Sequence, residues 1–500
     1  MRIIARTILL VLAFAPQRLY LPTPKTVTIG CLGSFDHLDP RDEDHGWAAM
    51  VAELVYEGFY RLDKHYRVVP ALLESAQSDG AGRTVLTLRP DAHFHDGSPV
   101  RAADAAATID AYRRGDYLVS LASLRFGQVE VIDERTLAVE LSPPLPEAAL
   151  DLTMLGILPR HLLVDGDREL RAAPPGTGPF RVVSATEASI LLVRNPLYYG
   201  RLPRLDRVLL TSLPDETRIF TALIRGDLEY YPALSAGAAA RLSTLPSCKV
   251  VQVFLPATVM VALNNRVPFF AAPLVRRALD LGVDKAGILA AIAPGEAYLA
   301  DSLLSPAHPH YRPGPVRTYD PAAARTLLIE AGAIRRNEGL YVGDCRLGVL
   351  LDRSQEQTPD LAAAMRYLGN DLLNLGFAVR DRGVTLDPKD AACTAEATLL
   401  NVPSFPAAGT DWLNLLFDHD LIGYANREAL SLFRFLRASV PDTPDLAAAY
   451  QRLQEVLRED PPGIVLYWRT GHLAHHVRLI GPDPGERPFF GLPDWDVVSR

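Results

Sequence analysis

Residues 93–96 read His-Phe-His-Asp, two imidazoles one residue apart with a carboxylate beside them. In an extended chain His93 and His95 project to the same face, a spacing able to grip a transition metal. Such a site needs a third protein ligand, and no H-E-x-x-H or comparable set stands nearby. Asp96-Gly97 is a turn dipeptide and Pro99 precedes a helical pattern, so the stretch reads as a polar turn between a strand and a helix. His472, His475 and His476, flanked by Arg469 and Arg478, read as a solvated polar face. There is no G-x-S-x-G elbow and no nucleophile with a base at a recognisable spacing, so no catalytic residue is expected, nor a metal or other cofactor. The cysteines, Cys31, Cys248, Cys345 and Cys393, lie far apart without C-x-x-C spacing and read as isolated, reduced thiols.

The chain that must position these groups has 500 residues, more than one hydrophobic core organises, so its 48% hydrophobic content is expected to fill two or three lobes. A net charge of −8 with Lys and Arg dispersed excludes a nucleic-acid surface, which needs clustered cations. At the amino end, Arg2 and Arg6 precede the apolar run Ile8–Ala15, and Ala13-Phe14-Ala15 has the form of a cleavage site. Residues 1–20 are therefore expected to be an export signal, with Pro16 at the first mature position and the short run leaving an uncleaved anchor or a later start open. No later run reaches the roughly 18 apolar residues of a spanning helix.

Periodicity supplies mixed elements. Thr84, Leu86 and Leu88, and likewise Leu137, Val139 and Leu141, alternate as in half-buried strands. Between them Ala105, Ile109 and Tyr112 recur at i, i+4 and i+7, one inward face of a helix. Arg346–Leu351, Thr358–Leu375 and Gly376–Val379 read as strand, helix and strand, a βαβ unit that implies a parallel sheet. Single amphipathic helices are expected over Pro273–Ala291 and Asp320–Ala331, each with proline near its start. The 40 prolines are spread through loops rather than gathered into a linker, so the lobes are expected to interleave in sequence.

The run Leu88-Arg89-Pro90-Asp91-Ala92-His93-Phe94-His95-Asp96-Gly97-Ser98-Pro99 resembles the L-R-x-G-V-x-F-H-D-G-x-P signature of family 5 extracellular solute-binding proteins, the oligopeptide- and dipeptide-binding components of ABC importers. Further segments agree in order and spacing. Leu38-Asp39-Pro40, Val55-Tyr56-Glu57-Gly58, Gly176-Thr177-Gly178-Pro179-Phe180 and Arg194-Asn195-Pro196-Leu197-Tyr198-Tyr199 are similar to that family's segments. So are Val275-Arg276-Arg277-Ala278-Leu279, Tyr319-Asp320-Pro321 through Glu330-Ala331-Gly332, and Arg458-Glu459-Asp460-Pro461-Pro462. Together they cover residues 27 to about 480. Arg101 departs from the pattern where Thr or Ser usually caps a helix, at a cost of about 1 kcal/mol.

The resemblance implies an α/β fold, periplasmic binding protein-like, of type II in cluster C: two lobes with a hinge plus an extra subdomain. Lobe I would comprise residues 26–52, 176–258 and 476–500, the extra subdomain 53–175, and lobe II 259–475. Ligand would sit in the cleft between the lobes and favour their closure. Peptide-binding members pair the ligand's amino group with an aspartate, at a position that Phe405 occupies here; the nearby Asp411 is the alternative partner. Phe35, Phe405, Asp411 and Trp412 are the candidate ligand contacts, with Arg353 as a carboxylate partner and Tyr424 and Trp468 as further aromatic walls. The implied function is that of a non-catalytic periplasmic monomer that delivers a small peptide or peptide-like solute to ABC permease subunits in the inner membrane. A cytoplasmic ligand-sensing regulator on the same fold, and a binder of an opine, sugar or metal chelate, stay open as alternatives.

Overall fold

The computed structural model describes residues 24–498 apart from 36–37, 39–46, 64–67, 116–123, 143, 146, 150, 164–173, 293–296, 307, 309, 338, 353–358, 382–393, 404–415, 418–421, 439–443 and 483–491. The proposed export signal lies outside that range. Strand β1 (Thr26–Leu32) buries Val27, Ile29 and Cys31 completely, as a strand covered on both faces must. After α1 (Trp47–Val55) comes a separate antiparallel sheet made of β2 (Leu73–Ser78), β3 (Arg83–Leu88), β4 (Arg125–Val131) and β5 (Thr136–Ser142), in the order β2-β3-β5-β4. The alternation read from the sequence in β3 is present, with Thr84, Leu86 and Leu88 buried. Helix α2 (Ala102–Arg114) buries Ala105 and Ile109 and ends at Gly115, where φ is 83°. Arg101 stands at its N-cap without a side-chain cap bond, and Asp104 reaches back to the Arg101 N–H at 2.9 Å.

The chain continues through β6 (Phe180–Thr186), β7 (Ser189–Arg194), β8 (Arg207–Leu213), α3 (Glu216–Arg225), β9 (Tyr230–Leu234), α4 (Ala236–Leu242) and the 16-residue β10 (Cys248–Leu263). There follow α5 (Pro273–Gly282), α6 (Lys285–Ile292), β11 (Ala297–Leu299), α7 (Pro321–Glu330), β12 (Cys345–Arg346), β13 (Gly348–Asp352), α8 (Pro359–Leu375) and β14 (Ala378–Asp381). The last elements used below are β15 (Thr394–Pro403), α9 (Arg427–Ala438), α10 (Pro444–Glu459) and β16 (Gly463–His476). The main sheet runs β14-β13-β15-β10-β16-β9-β1-β8-β7-β6, with β11 also paired to β16. The predicted βαβ unit is there, since β13 and β14 pair in parallel around α8.

Two of the sequence expectations change. The helix expected over Pro273–Ala291 is two helices: α5 ends at Gly282, Val283 turns extended with φ of −105° and ψ of 125°, and Asp284 restarts the chain by accepting the Gly287 N–H at 2.9 Å. Cys345 is disulfide-bonded, so the four thiols are not all reduced, whereas Cys31 and Cys248 are free and buried.

The long strands β10 and β16 pair side by side, but their register breaks. Phe254 pairs with Thr470, and the next pairing is Thr258 with Trp468, so β10 spends four residues where β16 spends two. Pro256, which has no N–H to give a ladder, falls inside that bulge. Apolar clusters divide at the same place. Val253 and Leu473 join a core with Ile29, Leu86, Phe94, Phe180 and Leu210, which the four-stranded sheet and β1 share. Val259, Val261 and Ile464 join a different core with Leu279, Leu372 and Phe377, while Met260 and Trp468 pack with α9 and α10. Buried ion pairs fasten α5 within the second half: Arg276 to Asp460, whose other oxygen accepts from Asn426 at 2.9 Å, and Asp280 between Lys285 and Arg317.

Candidate functional site

Strand direction shows where a ligand can sit. β9 is antiparallel to β16, with Tyr230 opposite His475 and Leu234 opposite His472, so β9 runs toward the register break. β1 is parallel to β9, and β8 is parallel to β1, so their carboxyl ends lie on that side too. From the other half, β15 pairs antiparallel to β10 and brings Pro403 opposite Ala257, also at the break, and β13 runs parallel to β15. Both halves thus aim the carboxyl ends of parallel strands at one junction, the place where open α/β sheets hold their ligands.

On the first half, Gly33 turns the chain out of β1 with φ of 89° and its carbonyl accepts from the Ser212 hydroxyl. The Trp47 indole N–H donates to the Leu32 carbonyl at 3.0 Å, and its ring stacks on Tyr231 with centroids 6.3 Å apart. Asp215 caps α3 through the Arg218 N–H, and the Glu216 carboxylate accepts both the N–H and the hydroxyl of Ser235 at 2.6 Å. Burial, with the Glu216 charge adding to it, pushes the Tyr231 phenol up to about 12.

The junction itself carries an aromatic and amide group. Phe254 lies against Tyr298 at 5.4 Å and edge-on to Trp468 at 6.5 Å, and Tyr311 meets the Trp468 ring at 5.3 Å. The Tyr298 hydroxyl donates to the Gln252 amide oxygen at 3.2 Å, and the Gln252 amide nitrogen donates to Thr470 at 3.2 Å. Trp468 is held by its indole N–H to the Ser302 carbonyl at 3.1 Å, while Tyr298 keeps 47% of its surface exposed. An anchored ring beside an exposed phenol and an amide presents an apolar surface with polar tips.

Of the sequence-predicted contacts, Phe35 lies 6% exposed in the first core, its N–H donating to the Glu187 carbonyl at 3.1 Å. Arg353, Phe405, Asp411 and Trp412 lie outside the described residues; in sequence Arg353 directly follows β13 and Phe405 comes two residues after β15. Tyr424 is a core residue whose hydroxyl donates to the Asp460 carbonyl at 2.7 Å. Sequence reasoning picked out Trp468 but not Gln252, Phe254, Tyr298 or Thr470. The only local signal for them is a proline inside a long apolar strand, which marks a bulge without saying what faces it.

The opening histidines are accounted for. His95 Nε2 contacts the Gly178 carbonyl at 3.1 Å and its Nδ1 accepts the Gly176 N–H at 3.2 Å, so the ring is a neutral bridge that clamps the turn to the Gly176–Gly178 segment. Burial lowers its pKa to about 4. His93 Nδ1 contacts the Asp91 carbonyl at 3.0 Å, and among the described residues no group of three or more metal-ligating side chains converges. Beside this clamp, Glu57 accepts the hydroxyls of Tyr198 at 2.9 Å and Tyr199 at 2.7 Å, with Arg89 over the Tyr199 ring at 4.2 Å. Burial raises the Glu57 pKa, opposed by those hydroxyls and by Arg61. The histidine group of β16 is a solvated face only in part: Arg469 is exposed and His472 and His476 are half-buried, but His475 is buried between β9 and β10, and burial lowers its pKa.

A two-half α/β sheet with a hinge-like break and convergent strand ends is the architecture of a type II periplasmic binding protein. The family model described as bacterial extracellular solute-binding proteins, family 5 middle, matches residues 67–420, and the chain belongs to that family. The glutathione-binding protein GsiB of Salmonella typhimurium is 26% identical over 499 residues, covering 95% of this chain and 94% of that protein. Among solved structures, HbpA2 from Haemophilus parasuis superposes with a TM-score of 0.76 at 20% identity, covering 95% of this chain and 100% of that one. AgaA from A. tumefaciens R10, solved with agropinic acid, gives a TM-score of 0.69 at 21% identity and covers 95% of this chain and 99% of that one. No helix of the described residues is long and apolar enough to cross a membrane.

Proposed function

We propose that this chain is the extracytoplasmic substrate-binding component of an ABC importer, a non-catalytic monomer that captures a small peptide or peptide-like solute and passes it to permease subunits in the inner membrane. The observation that carries the reading is the convergence of parallel strand ends from both halves on the β10/β16 break. Ligand bridging the two halves would favour the closed arrangement, because only there does it touch both. The division into residues 26–52, 176–258 and 476–500, an extra subdomain 53–175, and 259–475 belongs to this proposal. So do Phe35, Arg353, Phe405, Asp411 and Trp412 as ligand contacts, joined by Phe254 and Tyr298.

Phe405 in place of an amino-pairing aspartate favours a second ligand class, one whose amino end is blocked or displaced, because a buried ammonium without a partner is costly. Glutathione, which the Salmonella relative is named for, and agropinic acid, bound in the solved AgaA, are the two solutes to try first beside ordinary tripeptides. Titration calorimetry decides: tight, saturable binding of one of them, with Tyr298→Ala weakening it about fivefold or more, supports the reading. Asp411→Ala is expected to weaken any cationic ligand by more than tenfold, and unchanged affinity removes Asp411 from the site.

A further inference from the structure

Strand β16 changes its pairing on both flanks at one place. On one flank β10 bulges between Phe254 and Thr258. On the other, Tyr467, Trp468 and Arg469 pair with β11, whereas His472, Ala474 and His475 pair with β9, so Thr470 and Gly471 fall between the two partners. A swing of one half against the other meets least resistance at these two residues, because the ladder is interrupted on either side of them. Particular side chains cross this pivot. Gln252 stands before the bulge, opposite His472, and its neighbour Val253 belongs to the first core. Tyr298 stands beyond it, on β11 opposite Trp468, whose ring packs with α9 and α10. The Tyr298 hydroxyl nevertheless donates to the Gln252 amide oxygen at 3.2 Å, and the amide nitrogen donates at 3.2 Å to the hydroxyl of Thr470, at the pivot itself. Both ends of the amide are engaged, which fixes its orientation. Phe254 adds a ring to the same bridge: it directly follows Val253 yet packs with the α9 and α10 core, 5.4 Å from Tyr298.

We propose that the hydrogen-bonded chain of Tyr298, Gln252 and Thr470 is a strut across the pivot, holding the two halves in the arrangement described and breaking when they swing. The inference rests on the reading of the chain as a two-half trap and adds how the empty trap is set. The strut is made of the protein's own side chains, so it biases the halves before any solute arrives, and the apparent affinity of every solute that selects one arrangement is scaled by the same factor. A neutral hydrogen bond in reach of water, as between the exposed Gln252 and Tyr298, shifts such an equilibrium by about fivefold.

The test uses the full chain without solute and compares Tyr298→Phe, which keeps the ring, with Gln252→Ala and with the double substitution. In hydrogen exchange read by mass spectrometry, a peptide spanning Thr470 and Gly471 should exchange about fivefold faster in either single variant, with no further gain in the double, while peptides from α8 and β3 keep the parent's rate. Small-angle scattering should give both single variants the same radius of gyration, displaced from the parent's. Parent-like exchange in Tyr298→Phe overturns the proposal. So do effects that add in the double variant, which mean two independent contacts, a rise spread over all peptides, which means general loosening, and scattering profiles identical to the parent's. Calorimetry with glutathione and agropinic acid reads the transport assignment separately: failure of both solutes to bind counts against that assignment, whereas the strut is judged in solute-free protein.

Discussion

Glu57 is a carboxylate 5% exposed, ringed by hydroxyls, and its raised pKa carries a sign. The folded chain holds the Glu57 proton to higher pH than the unfolded chain does, so the stability this gives is full at acid pH and is lost as pH rises through the folded pKa. Glu57→Gln keeps an acceptor and removes the charge. In urea titrations its stability relative to the parent should therefore improve as pH rises from 4, until the folded pKa is passed. Glu57→Leu leaves the Tyr198, Tyr199 and Thr177 hydroxyls without their acceptor and should cost about 2–3 kcal/mol at either pH. The sequence showed Glu57 as part of a motif, but not its partners, because Tyr198 lies 141 residues away and only the fold brings it near. The same holds for His95, whose role as a bridge to Gly176 and Gly178 no local spacing announces.

Among the elements, the β10/β16 pair is the one whose failure would be felt in both halves. A Cβ on Gly463 would stand 2.2 Å from the Val261 carbonyl oxygen of the neighbouring strand. Gly463→Ala must push the strands apart and should cost about 2 kcal/mol, read as a shift in the urea midpoint; an unchanged midpoint would mean the ladder yields there. Elements with local logic were legible in the sequence: the βαβ unit around α8, the alternation of β3, and α7 with Asp320 at its cap. The pairing of β10 with β16 was not, since Phe254 and Thr470 are joined only by tertiary structure, and with it went Gln252, Phe254, Tyr298 and Thr470. The split between α5 and α6 was missed for a related reason: at the break the Asp284 N–H donates to the Asp371 carboxylate of α8 at 2.9 Å, a partner only the fold brings near.

For the molecule as a whole, buried neutral histidines add to the response to acid. His308, 2% exposed and packed against Tyr450 at 4.7 Å, has its pKa lowered by burial to about 3, and His95 is lowered to about 4. Both pKa values fall on folding, so the unfolded chain takes up protons first and stability drops as pH falls from about 6.5 toward those values. His308 alone should cost about 2 kcal/mol at pH 5 relative to neutral pH. His308→Asn should flatten the pH dependence of the urea midpoint between pH 7 and pH 5; a slope equal to the parent's would place the acid response elsewhere.

The four-stranded sheet and β1 with its neighbours are packed around a single continuous apolar interior. They must therefore travel together, so any swing about the β10/β16 bulge carries β1 and the four-stranded sheet as one jaw against the half that holds α5, α7 and α8.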